Sequence, residues 1–363
     1  MKRACGSNVM NFALVEAKKL LQEKMFLIFI AICLGLNIGL CFSDPDVRSA
    51  VNRMAVEETC QRGEKIYDTL NADRIGSFYY NRQYVQSSLF HRWMKEKYEK
   101  FRRAIDLLDA ENADLSPFAG EITPLVHRAL FTKQLKALLL ECVIFISLLS
   151  LRAFSVEKQT EMSALIYSSK RGRRIAGDKI LANGLVSALF CFGLISLSLI
   201  IFFASWNFSN LWDANMASSY HYVLDSNDPI LMKPFMTWVS LTLKKYFVCS
   251  LALLAGILLV WWLLANIVSL LAPDSLWGGI VLAATLCLPF FGLVLLPEPL
   301  LWLYFLDTWT LSTIIYCNQW WFTDLGIYSF FPYQEIWSVI MHLLLAAVGI
   351  AAGIRYFKRK ELA

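Results

Sequence analysis

Lys179 comes nearest to nucleotide chemistry by spacing. Gly172 and Gly177 stand at the gap of a phosphate-binding loop. That loop needs Lys directly after the second Gly, then Ser or Thr, so that backbone N–H groups cradle the phosphates and the ammonium reaches the terminal oxygens. Here Asp178, an acid that repels phosphate, intervenes and Ile180 follows. His91, His127, His221 and His342 lie too far apart for metal-ligand spacing. Glu141 is different, because it is an acid inside a long apolar run. An intramembrane carboxylate is by default a functional candidate, and the plainer alternative is that it pairs with Lys136 or a neighbouring helix. Trp261, Trp262 and Asn266 add apolar area with polar handles inside another run; with Glu141 they could line a path through the membrane, and the alternative for the three is a lipid-facing or packing role.

Glu57, Glu58 and Arg62 spell E-E-x-x-x-R, which resembles the first motif of intramembrane glutamate proteases. That chemistry needs a carboxylate buried in a span and faced by histidines, so that it can activate water. These residues fall in a polar segment, and no F-x-x-x-H follows. The nine cysteines form no C-x-x-C pair. Cys60 and Cys317 would share one side of a membrane, but sequence alone does not pair them.

The elements that must position these residues are apolar runs long enough for a bilayer, which takes about 20 residues of helix. Residues are 57% apolar and only 17% charged across 363 positions, so an integral membrane protein is expected. A span must satisfy its own backbone, which selects helices. The expected fold is all-α, with six transmembrane helices: Met25 to Phe42, Leu135 to Phe154, Ile180 to Ser205, Tyr246 to Ala272, Leu276 to Leu296 and Ile336 to Ile354. Lysine and arginine near the spans set orientation. Lys2, Arg3, Lys18, Lys19 and Lys24, the cluster from Arg152 to Lys179, and Arg355 to Lys360 all fall on one side, so both termini are expected in the cytoplasm. The net charge of +5 suits a basic rim against anionic lipid heads, and no nucleic-acid motif competes for it. The first run is read as an uncleaved anchor of a bacterial cytoplasmic membrane.

Residues 1–24 include an amphipathic stretch, 11–24, expected to lie on the inner leaflet. Residues 43–133 read as a helical extracytoplasmic domain. Its clearest helix, His91 to Glu111, carries Trp93, Lys97, Phe101, Ile105 and Leu108 among charges and is expected to be exposed and stitched by charge pairs three and four apart, and a second is expected from Arg48 to Leu70. In the cytoplasmic segment 155–179, Met162, Leu165 and Ile166 fall on one helical face. Pro273 and Asp274 make a tight turn between the fourth and fifth spans. The outer connections are 206–245 and the aromatic hairpin 297–335, expected to dip back into the interface. A short basic tail, 355–363, closes the chain.

Taken in order, these features resemble the membrane subunit of a type-2 ATP-binding-cassette (ABC) transporter, over all six spans. Glu16, Lys19, Leu20 and Lys24 run into the first span as in that family. Phe154, Glu157, Leu165, Arg173, Arg174 and Lys179 resemble its coupling segment, although Met162 stands where Gly is common, and Ser169 with Lys170 replaces a Pro-containing turn. The resemblance implies a permease with no nucleotide site of its own. It would pair with a second permease subunit, identical or not, and dock a separate ATPase that binds ATP and Mg. Glu157, Glu161, Met162, Leu165, Ile166, Arg173, Arg174 and Lys179 would couple the two. The implied activity is export of an amphiphilic substrate such as an antimicrobial peptide, drug or lipid. The alternative is a signalling or mechanotransmission subunit acting through the outer domain.

Overall fold

A computed structural model describes residues 13–54, 65, 67, 70–80, 88–115, 126–159, 175–209, 211–217, 221–222, 233–295 and 301–359. The described residues are helical almost throughout, and six of their helices are long and apolar enough to cross a membrane. An amphipathic helix α1 (13–21) leads through a one-turn break into α2 (Lys24–Phe42). The domain helices α3 (Pro45–Met54), α4 (Ala72–Tyr80) and α5 (Ser88–Ala110) follow. The second span opens with a π-helical stretch, Arg128–Leu135, and continues as α6 (Lys136–Gln159). Then come α7 (Ile175–Ser205), α8 (Leu243–Leu271), α9 (Ser275–Leu295), the short α10 (Leu301–Thr308) and α11 (Leu311–Tyr316), and α12 (Gln334–Arg359). Two-residue strands, β1 (His221–Tyr222) and β2 (Lys233–Pro234), pair antiparallel.

The surface of the long helices is inverted relative to a water-soluble bundle. Leu27, Ile32, Phe192, Leu288, Leu344 and Val348 point outward and are exposed, whereas Asn37, Glu141, Ser150, Asn183 and Asn266 are buried. Continuous apolar faces of this kind require a lipid solvent, and polar groups in a span turn inward to find partners. Packing inside uses small residues. A side chain at Gly278 would meet Leu151 at 2.5 Å, and one at Gly349 would meet Ile267 at 2.9 Å. Such positions let helices approach closely where lipid gives little hydrophobic drive to associate.

The contacts also fix which helix ends meet. Glu23, just before α2, pairs with Arg152 near the end of α6 at 2.9 Å. Lys179 near the start of α7 donates to the Ala153 carbonyl. Leu151 sits against Gly278 near the start of α9, and Gly353 near the end of α12 sits against Leu270. These form one end of the bundle, called here the basic end. At its α8–α9 turn Asp274 caps the new helix by accepting from Trp277 N–H at 2.9 Å, a task suited to a short carboxylate side chain.

At the opposite end a second core gathers Tyr67, Ile75, Phe90, Met94, Tyr98, Phe101 and Leu108 with Met236, Trp238 and Phe330. Three segments distant in sequence thus make one aromatic unit. The His91 to Glu111 region is not the exposed, charge-stitched helix expected from its sequence. In α5 one face, including Lys97, is buried, and Arg92–Glu96 is a surface pair at 3.8 Å. The helix expected over Arg48 to Leu70 is α3 alone as far as Met54, and residues 55–64 lie outside the described residues. Glu57, Glu58, Cys60 and Arg62 are among them.

Candidate functional site

At the basic end, α1 is held against the spans by charge. Glu16 accepts from Lys19 at 2.6 Å on its own helix, and its other oxygen lies 3.9 Å from Lys179 Nζ. Lys179 is 3% exposed. Its ammonium also donates to the Ala153 carbonyl and lies 5.8 Å from the centre of the Phe154 ring. A buried ammonium is tolerated when carboxylate, carbonyl and aromatic face surround it. One side chain therefore links α1, the end of the second span and the start of the third. Leu20 is buried in the bundle core, and Lys24 opens α2. Of the segment between the second and third spans, Glu161, Met162, Leu165, Ile166, Arg173 and Arg174 lie outside the described residues. Glu157 is described only as backbone in the last turn of α6.

Deeper in the bundle two polar clusters hold spans together. In one, Asn183 of α7 donates to Ser150 Oγ at 2.8 Å and to Asn266 Oδ1 at 3.1 Å, while Ser187 donates to Asn183 Oδ1 at 3.0 Å. Asn266 donates in turn to the Trp262 carbonyl at 2.7 Å. This ties α6, α7 and α8, with each interhelical bond contributing about 0.6–2 kcal/mol in a membrane. Asn266 is thus packing glue in this conformation.

The second cluster surrounds Glu141. Asn37 of α2 donates to Glu141 Oε2 at 2.6 Å and to the Cys33 carbonyl at 2.8 Å. Gln134, in the π-helical stretch, donates to Asn37 Oδ1 at 2.9 Å. Of the two plainer alternatives, the pairing with a neighbouring helix forms, through Asn37 of α2, and the pairing with Lys136 does not. Lys136 Nζ lies over the Tyr316 ring, 4.9 Å from its centre. The span also begins earlier than expected, at Arg128, which places Glu141 near its middle. Among the described residues, Glu141 Oε1 and Gln134 Oε1 are buried without a hydrogen-bond partner.

The two adjacent tryptophans separate. Trp261 is 1% exposed and donates to Ser147 Oγ at 2.9 Å and the Val143 carbonyl at 3.1 Å, which spends its polar handle on α6. Trp262 instead lines an apolar cleft of about 630 Å³ between α7 and α8. Its ring fits because residue 184 is Gly, where a Cβ would come within 2.8 Å of it. A second cleft, about 380 Å³, lies where Leu20 and Leu21 meet Phe26, Phe145 and Phe190.

In the aromatic unit at the far end, Lys97 and Asp324 form an ion pair at 2.8 Å with both side chains almost fully buried. Lys97 also donates to the Gly326 and Ser329 carbonyls at 2.7 and 2.8 Å. Asp324 accepts from Tyr98 Oη at 3.2 Å and Gly326 N–H at 3.1 Å. Asp307 in α10 is held at about 6, above the usual carboxylate range, by burial. Burial pushes the Cys317 thiol up to about 12 against the opposing pull of Lys136, and Cys317 is a free thiol.

Asn37 and Gln134 had not stood out as site residues. Asn37 carried a usable signal, being the one amide in an otherwise apolar first span. Gln134 lay before the expected start of the second span, and the π-helical turn that brings it inward has no marker in the sequence. Among the described residues no group of three or more His, Cys, Asp or Glu could hold a metal. Comparison with protein families, curated proteins and solved structures found no match.

Proposed function

We propose that this chain is the membrane-spanning permease subunit of an ABC-type exporter, moving an amphiphile and driven at its basic end by a separate ATPase. The observation that carries the reading is the Lys179 junction with Glu16 and the Ala153 carbonyl. A force applied to the segment between the second and third spans enters both spans and the interfacial helix together, because one buried ammonium joins them. Nucleotide-driven closure of the partner then biases a membrane element with two arrangements. The cleft beside Trp262 offers apolar area of the kind an amphiphile's tail takes up. In this reading the basic end is cytoplasmic, as the lysines and arginines there favour, and the membrane is the bacterial cytoplasmic membrane. The chain pairs with a second permease subunit, ATP and Mg bind the partner ATPase, and no nucleic acid is involved.

The test is affinity purification of the full chain from its native host in mild detergent. Co-eluting proteins are assayed for vanadate-sensitive ATP hydrolysis. A phosphate-loop ATPase that co-elutes with the chain, and is released by Glu157→Lys, is the expected result. A chain that elutes without any ATPase overturns the reading and moves attention to the aromatic unit as a signalling module.

A further inference from the structure

Among the described residues, the two side-chain oxygens of the Glu141 cluster that are buried without a partner are both acceptors. Asn37 spends its amide hydrogens on Glu141 Oε2 and the Cys33 carbonyl, and Gln134 donates to Asn37. Of these donors, one N–H of Asn37 reaches the carboxylate. What remains is Glu141 Oε1 and Gln134 Oε1, both buried and without partners among the described residues. Glu141 is 8% exposed and Gln134 is 1% exposed. Such an arrangement lacks a positive charge or a hydrogen, and an unpaired carboxylate in a low-dielectric interior is strongly disfavoured.

The candidates for the missing group differ in what they need. A metal cation wants several oxygen ligands, whereas two acceptor atoms are free. An organic ammonium needs room, and the two large clefts are lined by other residues. A proton needs only an oxygen. The neighbouring groups do not supply a charge. Facing Glu141 are the thiols of Cys33 on α2 and Cys142 on α6, and Cys142 in turn meets Cys191 on α7. Lys136 is engaged over Tyr316. On α7, Asp178 and Lys179 lie at the basic end, while α8 carries Lys244 and Lys245 exposed at the other. A π-helical stretch, a form that is rare and frequent at functional sites, delivers Gln134 to the cluster.

We propose that Glu141, Asn37 and Gln134 form an intramembrane proton-binding site, with Glu141 carrying an exchangeable proton at neutral pH. Binding converts the carboxylate to a carboxyl, one proton taken from water for one negative charge removed. The Asn37 hydrogen bond to Oε2 survives in both forms, so the first and second spans stay joined while the charge between them changes. A reorientation that opens this cluster to water would release the proton, which couples proton release to conformation. The inference does not depend on an ATPase partner.

The experiment is infrared spectroscopy of the full chain in lipid nanodiscs, in D2O, across a pH series. The expected result is a protonated-carboxyl C=O band present at neutral pH. It vanishes in Glu141→Gln and shifts in Asn37→Leu, which removes its hydrogen bond. Glu141→Asp serves as a second variant should the Gln form fail to fold, with a displaced band expected. If wild type shows no protonated-carboxyl band at neutral pH, or shows one that neither Glu141→Gln removes nor Glu141→Asp displaces, Glu141 is not the proton's carrier and the proposal is wrong.

Discussion

Two buried acids of this molecule have opposite surroundings. Asp324, in the aromatic unit, meets an ammonium, a phenol and a backbone N–H, and its partner Lys97 is likewise filled by two carbonyls. Glu141, in the middle of a span, meets one amide and keeps a buried oxygen without a partner among the described residues. A fully satisfied buried pair fixes one geometry and resists change. An incompletely satisfied one leaves a degree of freedom that a guest can occupy. The comparison teaches that burial of charge is not itself the functional signal here. In the proton-site proposal, the unfilled acceptor is what separates Glu141 from Asp324.

The largest effect that would break this contrast is expected at the satisfied pair. Lys97→Met leaves Asp324 buried and unpaired, at a cost of about 3–5 kcal/mol. Thermal unfolding followed by tryptophan fluorescence should show it, and Lys97→Met with Asp324→Asn should recover part of the loss. A single variant as stable as wild type would mean that the pair is not buried as described. Next in size is Gly278→Val, whose side chain collides with Leu151. Overpacking of this sort costs about 1–3 kcal/mol, read as a lower midpoint in detergent denaturation.

Glu141→Gln should cost less than about 1 kcal/mol, because the amide matches the shape of a protonated carboxyl and needs no counter-charge. Its midpoint near neutral pH should sit close to wild type. A loss as large as that of Lys97→Met would place Glu141 among the structural acids.

The smallest expected effect is a pH dependence at Asp307. Its folded value, about 6, lies above the ordinary 3.8 because of burial. The folded state thus holds the proton more tightly than the unfolded chain does. Stability from this group is greatest below about 4 and declines as pH rises toward 6. Asp307→Asn should flatten that portion of the stability profile. An unchanged profile in the variant would assign the slope to another group.

Much of the framework was legible in the sequence because membrane spans announce themselves by length and apolarity. The α8–α9 turn was legible for a similar reason, since Pro273 and Asp274 carry local chemistry. The aromatic unit was not, because its core joins residues such as Phe90, Trp238 and Phe330 that no short window contains. Lys97 looked like one more surface lysine on a charged helix, and only the distant Asp324 explains it. At the site, Glu141 stood out as an acid in an apolar run. Its true partner was hidden, since Asn37 sits in another span and Gln134 depends on an irregular helical turn. Trp261 and Trp262 looked equivalent, yet helical rotation sends one to α6 and the other to a cleft made possible by Gly184.

The most direct test of the transport reading is flux, measured in vesicles that contain this chain with the ATPase it captures and a fluorescent single-chain amphiphile in one leaflet. The account predicts that ATP moves the amphiphile across, and that Lys179→Ala lowers movement at least tenfold while the ATPase remains bound. ATP turnover with no movement, or movement that Lys179→Ala leaves untouched, would contradict it.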